Sequence, residues 1–339
     1  MTQMSRIVLG LGTSHGPMLS IGPEYWADRV PFDRKHTALP YRGRTYAFPE
    51  LAALRAPERL EQQITPEASR AHYDRCQTAI AALAETYANA HIDAAVIIGN
   101  DQMEVFSAAH LPALAIFWGP FVEGHPRTPE FLAKLDPAIA RAELDRTPTE
   151  YTQYPCLPPL GENMIKSAMA EGFDVAQMTK LAAGEIGVNS APHAYGFFYR
   201  RVMRDKVPPH VPVFINTFYP PNQPPAARCY SFGRALGRAL KNWESDARIA
   251  VIASGGMTHF VIDEAFDRQI LDAMISGDVA ALNAAPESMF QSGTSELKNW
   301  IVTAGIMSEA GLKMRLIDYV PCYRSEGGTG SAMGFAAWE

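Results

Sequence analysis

The 339-residue chain has only four cysteines, Cys76, Cys156, Cys229 and Cys322, and no two of them form a CxxC pair. That excludes a disulfide framework and a thiolate zinc site, and it suits a reduced, cytoplasmic protein. Basic clusters are missing too. Lys/Arg runs stop at pairs such as Arg200-Arg201, and the net charge is −6. A nucleic-acid binder needs a basic face, so that class is set aside. No apolar stretch approaches the ~18 residues of a membrane span. The first apolar run, broken by Gly10 and Gly12, is too short for a secretory signal core. Dinucleotide chemistry is also excluded. Gly10-Leu11-Gly12 is followed by Thr13-Ser14-His15 with no third glycine, and the chain has no P-loop and no GxSxG elbow.

What remains is the composition of a globular protein, 47% apolar and 19% charged. Short apolar runs over 7–11, 94–98, 113–118, 211–215 and 249–253 are continuous, not alternating. They predict strands buried on both faces. Helical patterns lie between them. Thr65-Pro66-Glu67 reads as a cap, a first-turn proline and a first-turn acid. Tyr73, Cys76, Ile80, Leu83 and Tyr87 follow at 3,4,3,4 spacing. Further helices are predicted over 129–135, 161–171, 194–204, 228–244 and 264–276. Alternating strands and helices predict an α/β protein of three layers, α/β/α, with a largely buried central sheet. A single domain over 1–339 is expected. Segments 20–57 and 295–339 are Pro/Gly-rich and read as irregular lid or edge extensions.

In open α/β sheets, ligands bind beyond the carboxyl ends of the strands. Here four such ends are polar: Thr13-Ser14-His15, Gly99-Asn100-Asp101-Gln102, Asn216-Thr217-Phe218-Tyr219, and Ser254-Gly255-Gly256-Met257-Thr258-His259 followed by Asp263-Glu264. Imidazole and carboxylate with neutral oxygen donors suit a divalent metal such as Fe(II), Mn(II) or Zn(II). Each residue alone has a plainer reading. Asn100-Asp101 is a turn signal, and Glu264 is an acid in a helix's first turn. Their joint occurrence raises the metal reading.

The chain resembles the class III (LigB-type) extradiol ring-cleavage dioxygenases, nearest the branch of 3-O-methylgallate dioxygenase and the protocatechuate 4,5-dioxygenase β subunit. The matching stretches are GTSHGPML, VIIGNDQMEVF, LPALAIFWG, PHAYGFFYRRVM, VPVFINTFYPPNQPP, IASGGMTHFVIDEAFDRQIL and GGTGSAMGFAAWE. The resemblance implies Fe(II) held by two histidines and a glutamate, a catechol- or gallate-like aromatic acid, and O2 as co-substrate. Carried over, His15 matches the first histidine ligand, Glu264 the glutamate, and His193 the catalytic base and acid. Two positions depart from the pattern. Gln102 stands where the family has its second histidine, so either Gln102 ligates weakly, or Asp101 or a histidine from elsewhere takes its place. Asn163 stands where a substrate-side histidine is usual. His259 and Asp101 are placed behind the metal ligands as supporting groups. Tyr219 and Asn163 are assigned to the substrate, with packing as the alternative for Tyr219. His36, His91, His125 and His210 read as surface or loop residues. One of Arg29, Arg34, Lys35, Arg42 or Arg44 is a candidate for a substrate carboxylate.

Expected partners are the aromatic substrate and O2, in a homodimer, with a small α-type subunit as a further candidate. Two other readings stay open. One is a metal-free partner subunit of a heteromeric dioxygenase, favoured by Gln102. The other is a metal-dependent hydrolase or binding protein on the same fold.

Overall fold

The structure, a computed structural model, describes residues 4–185 and 189–339. Nine strands among the described residues form one sheet. They are β1 (Arg6–Thr13), β2 (Ala94–Gly99), β3 (Leu114–Phe117), β4 (Ala176–Met178), β5 (His210–Ile215), β6 (Arg248–Ser254), β7 (His259–Val261), β8 (Met314–Tyr323) and β9 (Thr329–Trp338). The order across the sheet is β7-β9-β1-β6-β2-β5-β3-β4, and β8 pairs with β9 off this path. The centre, β1-β6-β2-β5, is wholly parallel. Its four carboxyl ends therefore open on one side, and they are the four polar ends noted above. Strands β3 against β5, and β9 against β1, β7 and β8, run antiparallel.

The continuous apolar runs have the role their pattern implies. Side chains alternate between faces along a strand, and both faces are covered. Val96, Ile98, Val211, Val213 and Val251 join one core, with helices Pro158–Ala170, Ala226–Lys241, Glu264–Ser276 and Leu297–Ala310. Ala95, Ile97, Leu9, Leu11 and Ile252 join the other, with helices Pro66–Asn89 and His193–Phe197. This is a three-layer α/β/α arrangement. Helix Pro66–Asn89 begins as read: the Thr65 side chain accepts from Ala68 N at 3.2 Å. Cys76, Ile80, Leu83 and Tyr87 of its stripe are buried.

Two expectations need correction. Segment 295–339 is not irregular. It supplies helix Leu297–Ala310 and the ten-residue strands β8 and β9. The helix carries no polar stripe because it is buried all round from Leu297 to Met307, so it leaves no amphipathic period to read. Pro321 sits in β8, which pairs with β9 alone, and an edge strand tolerates proline. His210, taken for a loop residue, is fully buried in β5. Its Nδ1 donates to Pro155 O at 2.7 Å, Tyr199 Oη lies 2.6 Å from its Nε2, and burial pushes its pKa down to about 4. Segment 20–57 is broken into short pieces, among them the ladder of Leu39–Tyr41 with Arg44–Tyr46 and helix Phe48–Arg55. Leu39, Tyr41, Phe48 and Leu51 close a small core on Val261.

Candidate active site

A cavity of about 320 Å³ opens at the carboxyl edge of the parallel strands. His15, Gln102, Glu104, His193, His259 and Glu296 are among its lining residues. Backbone geometry places each. His15 follows β1 directly, Gln102 and Glu104 lie in the turn after β2, His259 opens β7, and His193 begins a short helix. Glu296 ends a 3₁₀ turn just before helix Leu297–Ala310.

The two ring tautomers next to Glu296 follow from their partners. Ser254 Oγ donates its proton to Ala194 O at 2.5 Å, so it accepts from His15 Nδ1 at 2.9 Å. His259 Nδ1 faces the carbonyl of Met257 at 2.8 Å and must donate to it. In the neutral form of either ring, Nε2 is therefore the nitrogen without a proton. These Nε2 atoms lie 3.4 Å (His15) and 3.8 Å (His259) from the same oxygen, Glu296 Oε2. Close approach of His259 depends on Gly293, where a Cβ would lie 2.2 Å from the ring's Cδ2.

Glu296 is buried and held from behind. Asn100 Nδ2 donates to its Oε1 at 3.1 Å, and Gly256 N donates to its Oε2 at 2.8 Å. Asn100 is in turn held by Asn299 Nδ2 at 3.1 Å. Burial alone would raise the Glu296 carboxyl pKa, but positive charge on the facing histidines, when they are protonated, outweighs it and draws it well below the usual range. Burial dominates at His15 and lowers its pKa, which favours the neutral imidazole against the pull of Glu296. Ligand atoms of His15, His193 and Glu296 lie within 4.8 Å of one another.

His193 is differently held. Glu104 Oε2 lies 2.5 Å from its Nδ1, and Glu104 Oε1 accepts from its backbone N at 2.9 Å. Burial pulls the imidazole pKa down, but Glu104 wins and the net shift is upward. Glu104 itself, against its burial, is brought down to about 2 by His193. The His193 ring meets the His15 ring edge-on, with centroids 4.7 Å apart.

The structure brings His15, His193, His259 and Gln102 to one cavity. It does not bring Glu264 there. Glu264 is exposed in the first turn of its helix, and its carboxylate accepts from Tyr323 Oη at 2.8 Å. Glu296 holds the position by the histidines instead, and sequence reading missed it. Asp101 is committed elsewhere: its two oxygens accept the backbone N–H groups of Glu104, Val105 and Phe106. That turn aims Glu104. Gln102 lines the cavity, and its Oε1 accepts from Tyr219 Oη at 3.2 Å. Tyr219 reaches the site only through that bond. Asn163 is remote from the cavity, its amide donating to Ala239 O at 3.0 Å between two helices. Of the cations named from sequence, Arg29 lines the cavity, while Arg34 pairs with Glu326 and Arg42 with Asp263.

A buried imidazole–carboxylate cluster at the carboxyl edge of a parallel sheet joins the usual ligand-binding edge of an α/β fold to a donor set able to hold a metal. Residues 133–333 match the family described as the catalytic LigB subunit of aromatic ring-opening dioxygenase. The match covers more than half of the chain, and the protein belongs to the LigB family. The gallate dioxygenase of Pseudomonas putida strain KT2440 is 28% identical over 108 residues, 29% of this chain and 32% of that enzyme. The chain thus matches about a third of that relative's length.

Proposed function

We propose that the protein is an Fe(II)-dependent extradiol dioxygenase that opens the ring of a catechol- or gallate-like aromatic acid with O2. The observation that carries this reading is the pair of Nε2 atoms, on His15 and His259, facing one oxygen of Glu296. Two imidazoles and one carboxylate are the donor set of non-haem Fe(II) oxygenases with open positions. The fit rests on donor chemistry. Both rings are fixed in the ligating tautomer, and the carboxylate is kept ionised by its surroundings. His15, His259 and Glu296 would hold the iron, so His259 fills the role expected of Gln102, and Glu296 that expected of Glu264.

Iron held there supplies Lewis acidity toward adjacent ring oxygens and redox chemistry with O2. The other steps belong to the chain. His193, with Nδ1 tied to Glu104, takes a phenolic proton on its free ring nitrogen and later returns it. Glu104 orients the ring and stabilises the imidazolium. Met18, Ile21, Trp26, Phe131 and Leu135 line the cavity; they pack on a planar ring and keep water from it.

The test is iron content and oxygen uptake after anaerobic Fe(II) loading, with protocatechuate, gallate, 3-O-methylgallate and catechol as substrates. Uptake dependent on one of these, with a ring-opened product, is expected. His259→Ala and Glu296→Ala should lose iron at least tenfold more readily than the parent, and Glu264→Ala should keep both iron and turnover. Iron loss in Glu264→Ala but not in Glu296→Ala would overturn the ligand assignment. A protein that takes up no iron would point to the partner-subunit reading.

A further inference from the structure

Four arginines line the cavity, Arg29, Arg127, Arg146 and Arg324. Two are matched one to one. Arg324 makes a bidentate pair with Asp33, at 2.6 and 2.9 Å, and Arg29 Nη1 lies 3.4 Å from Asp136. The other two share a single carboxylate. Arg127 Nε donates to Glu143 Oε2 at 2.7 Å, and Arg146 Nε donates to Glu143 Oε1 at 2.7 Å. These side chains are only 6% (Arg127), 11% (Arg146) and 6% (Glu143) exposed. Two guanidinium charges therefore face one carboxylate in a largely dry place.

The neighbouring acid, Glu104, accepts its side-chain hydrogen bonds from His193 and none from either guanidinium. Arg146 also lies near enough to help depress the Glu104 carboxyl, so the arginine pair sits beside the catalytic histidine's support. Arg127 has a further vacancy: its buried Nη1 has no hydrogen-bond partner among the described residues. An uncompensated buried cation with an unused N–H is costly unless something anionic completes it. The Arg127 guanidinium lies 5.2 Å from the Phe131 ring centroid, and Phe131 also lines the cavity. Ser190 lines the same wall; its Oγ accepts from His125 N and keeps its own proton to donate.

We propose that Arg127, backed by Arg146, is the anchor for the carboxylate of an aromatic-acid substrate. The proposal rests on the reading of this cavity as the ring-opening site. Glu143 holds both guanidinium groups in place, and Arg127, which lines the cavity, keeps an N–H that no described residue uses. A planar fork suits a carboxylate better than an ammonium does. Arg127 thereby determines specificity for acids over neutral catechols and takes no part in the proton transfers.

The experiment is anaerobic calorimetric titration of the Fe(II)-loaded protein with protocatechuate and with catechol, for the parent, Arg127→Gln and Arg127→Lys. Arg127→Gln is expected to weaken protocatechuate at least tenfold and catechol less than twofold, with Arg127→Lys in between. Equal weakening of both ligands, or unchanged protocatechuate binding, would overturn it. If Arg127→Gln does not fold, the parent protein still decides: protocatechuate methyl ester must bind at least tenfold more weakly than the acid, and equal binding sinks the proposal. Oxygen uptake separates the two readings. Selective loss of acid binding without uptake on any ring leaves the anchor standing and removes the dioxygenase. Uptake with unselective binding does the reverse.

Discussion

Glu264 and Glu296 carry the same functional group and differ in everything around it. Glu264 sits one residue past the Asp263 cap, exposed, with a tyrosine hydroxyl as its partner. Glu296 is buried, with Asn100, Gly256 and two imidazoles placed about it. The side chain's type says nothing of this difference, because Asn100 lies 196 residues away along the chain. Glu104 is a similar case. It lies two residues beyond Gln102 and acquires meaning only through His193, 89 residues on. As a positioning residue it makes a separable prediction. Glu104→Gln should retain iron and substrate KM while kcat falls by about a hundredfold or more, the usual weight of a well-supported acid–base group. Metal analysis alongside steady-state oxygen uptake distinguishes this from a structural loss, which would move iron content as well.

At the level of elements, the site depends on how closely two helices approach. Helices Ala226–Lys241 and Leu297–Ala310 cross at Gly233 and Gly305, and a Cβ on Gly233 would lie 2.0 Å from Val302 O. Backbone cannot move aside as a flexible side chain can. Gly233→Ala should therefore cost about 1–3 kcal/mol, read as a melting temperature several degrees lower. The same crossing seats Trp300, whose Nε1 donates to Gly255 O at 2.9 Å in the turn after β6. Spreading the helices should thus also loosen iron retention, a smaller effect measurable by chelator challenge.

Across the whole molecule, one buried acid ties distant parts together. Asp267 accepts from Thr258 N at 2.8 Å, Thr258 Oγ1 at 2.6 Å and Tyr319 Oη at 2.7 Å. It joins the turn before β7, helix Glu264–Ser276 and strand β8. Burial raises its pKa from 3.8 to about 7 despite those donors. A raised carboxyl pKa contributes stability that is full below 3.8 and lost as pH climbs through about 7. Asp267→Asn should therefore flatten the decline in unfolding free energy between about pH 4 and pH 7, by an amount on the order of a few kcal/mol. Chemical denaturation at several pH values checks this, and an undiminished slope in the variant would assign the pH dependence to another group.

The sequence by itself determined the parallel centre of the sheet and where its chemistry gathers. Continuous apolar runs have no polar face to turn to water, so strands such as β2 and β6 had to be buried on both sides. Polar residues right after them had to emerge at one edge, which made His15 legible as a site residue. Helix Leu297–Ala310 and strands β8 and β9 were not legible: the helix is buried all round, and Pro321 and the glycines of 327–334 read as loop. Only the tertiary structure decided which groups meet. Glu296 enters the cavity because a featureless buried helix begins beside it. His259 becomes a candidate ligand because Met257 fixes its tautomer and Gly293 makes room. Arg127 and Arg146 matter because they converge on one Glu143. Local pattern follows from hydrophobic periodicity, which neighbours in sequence share. Ligation and charge balance depend on distances between residues that the chain keeps far apart.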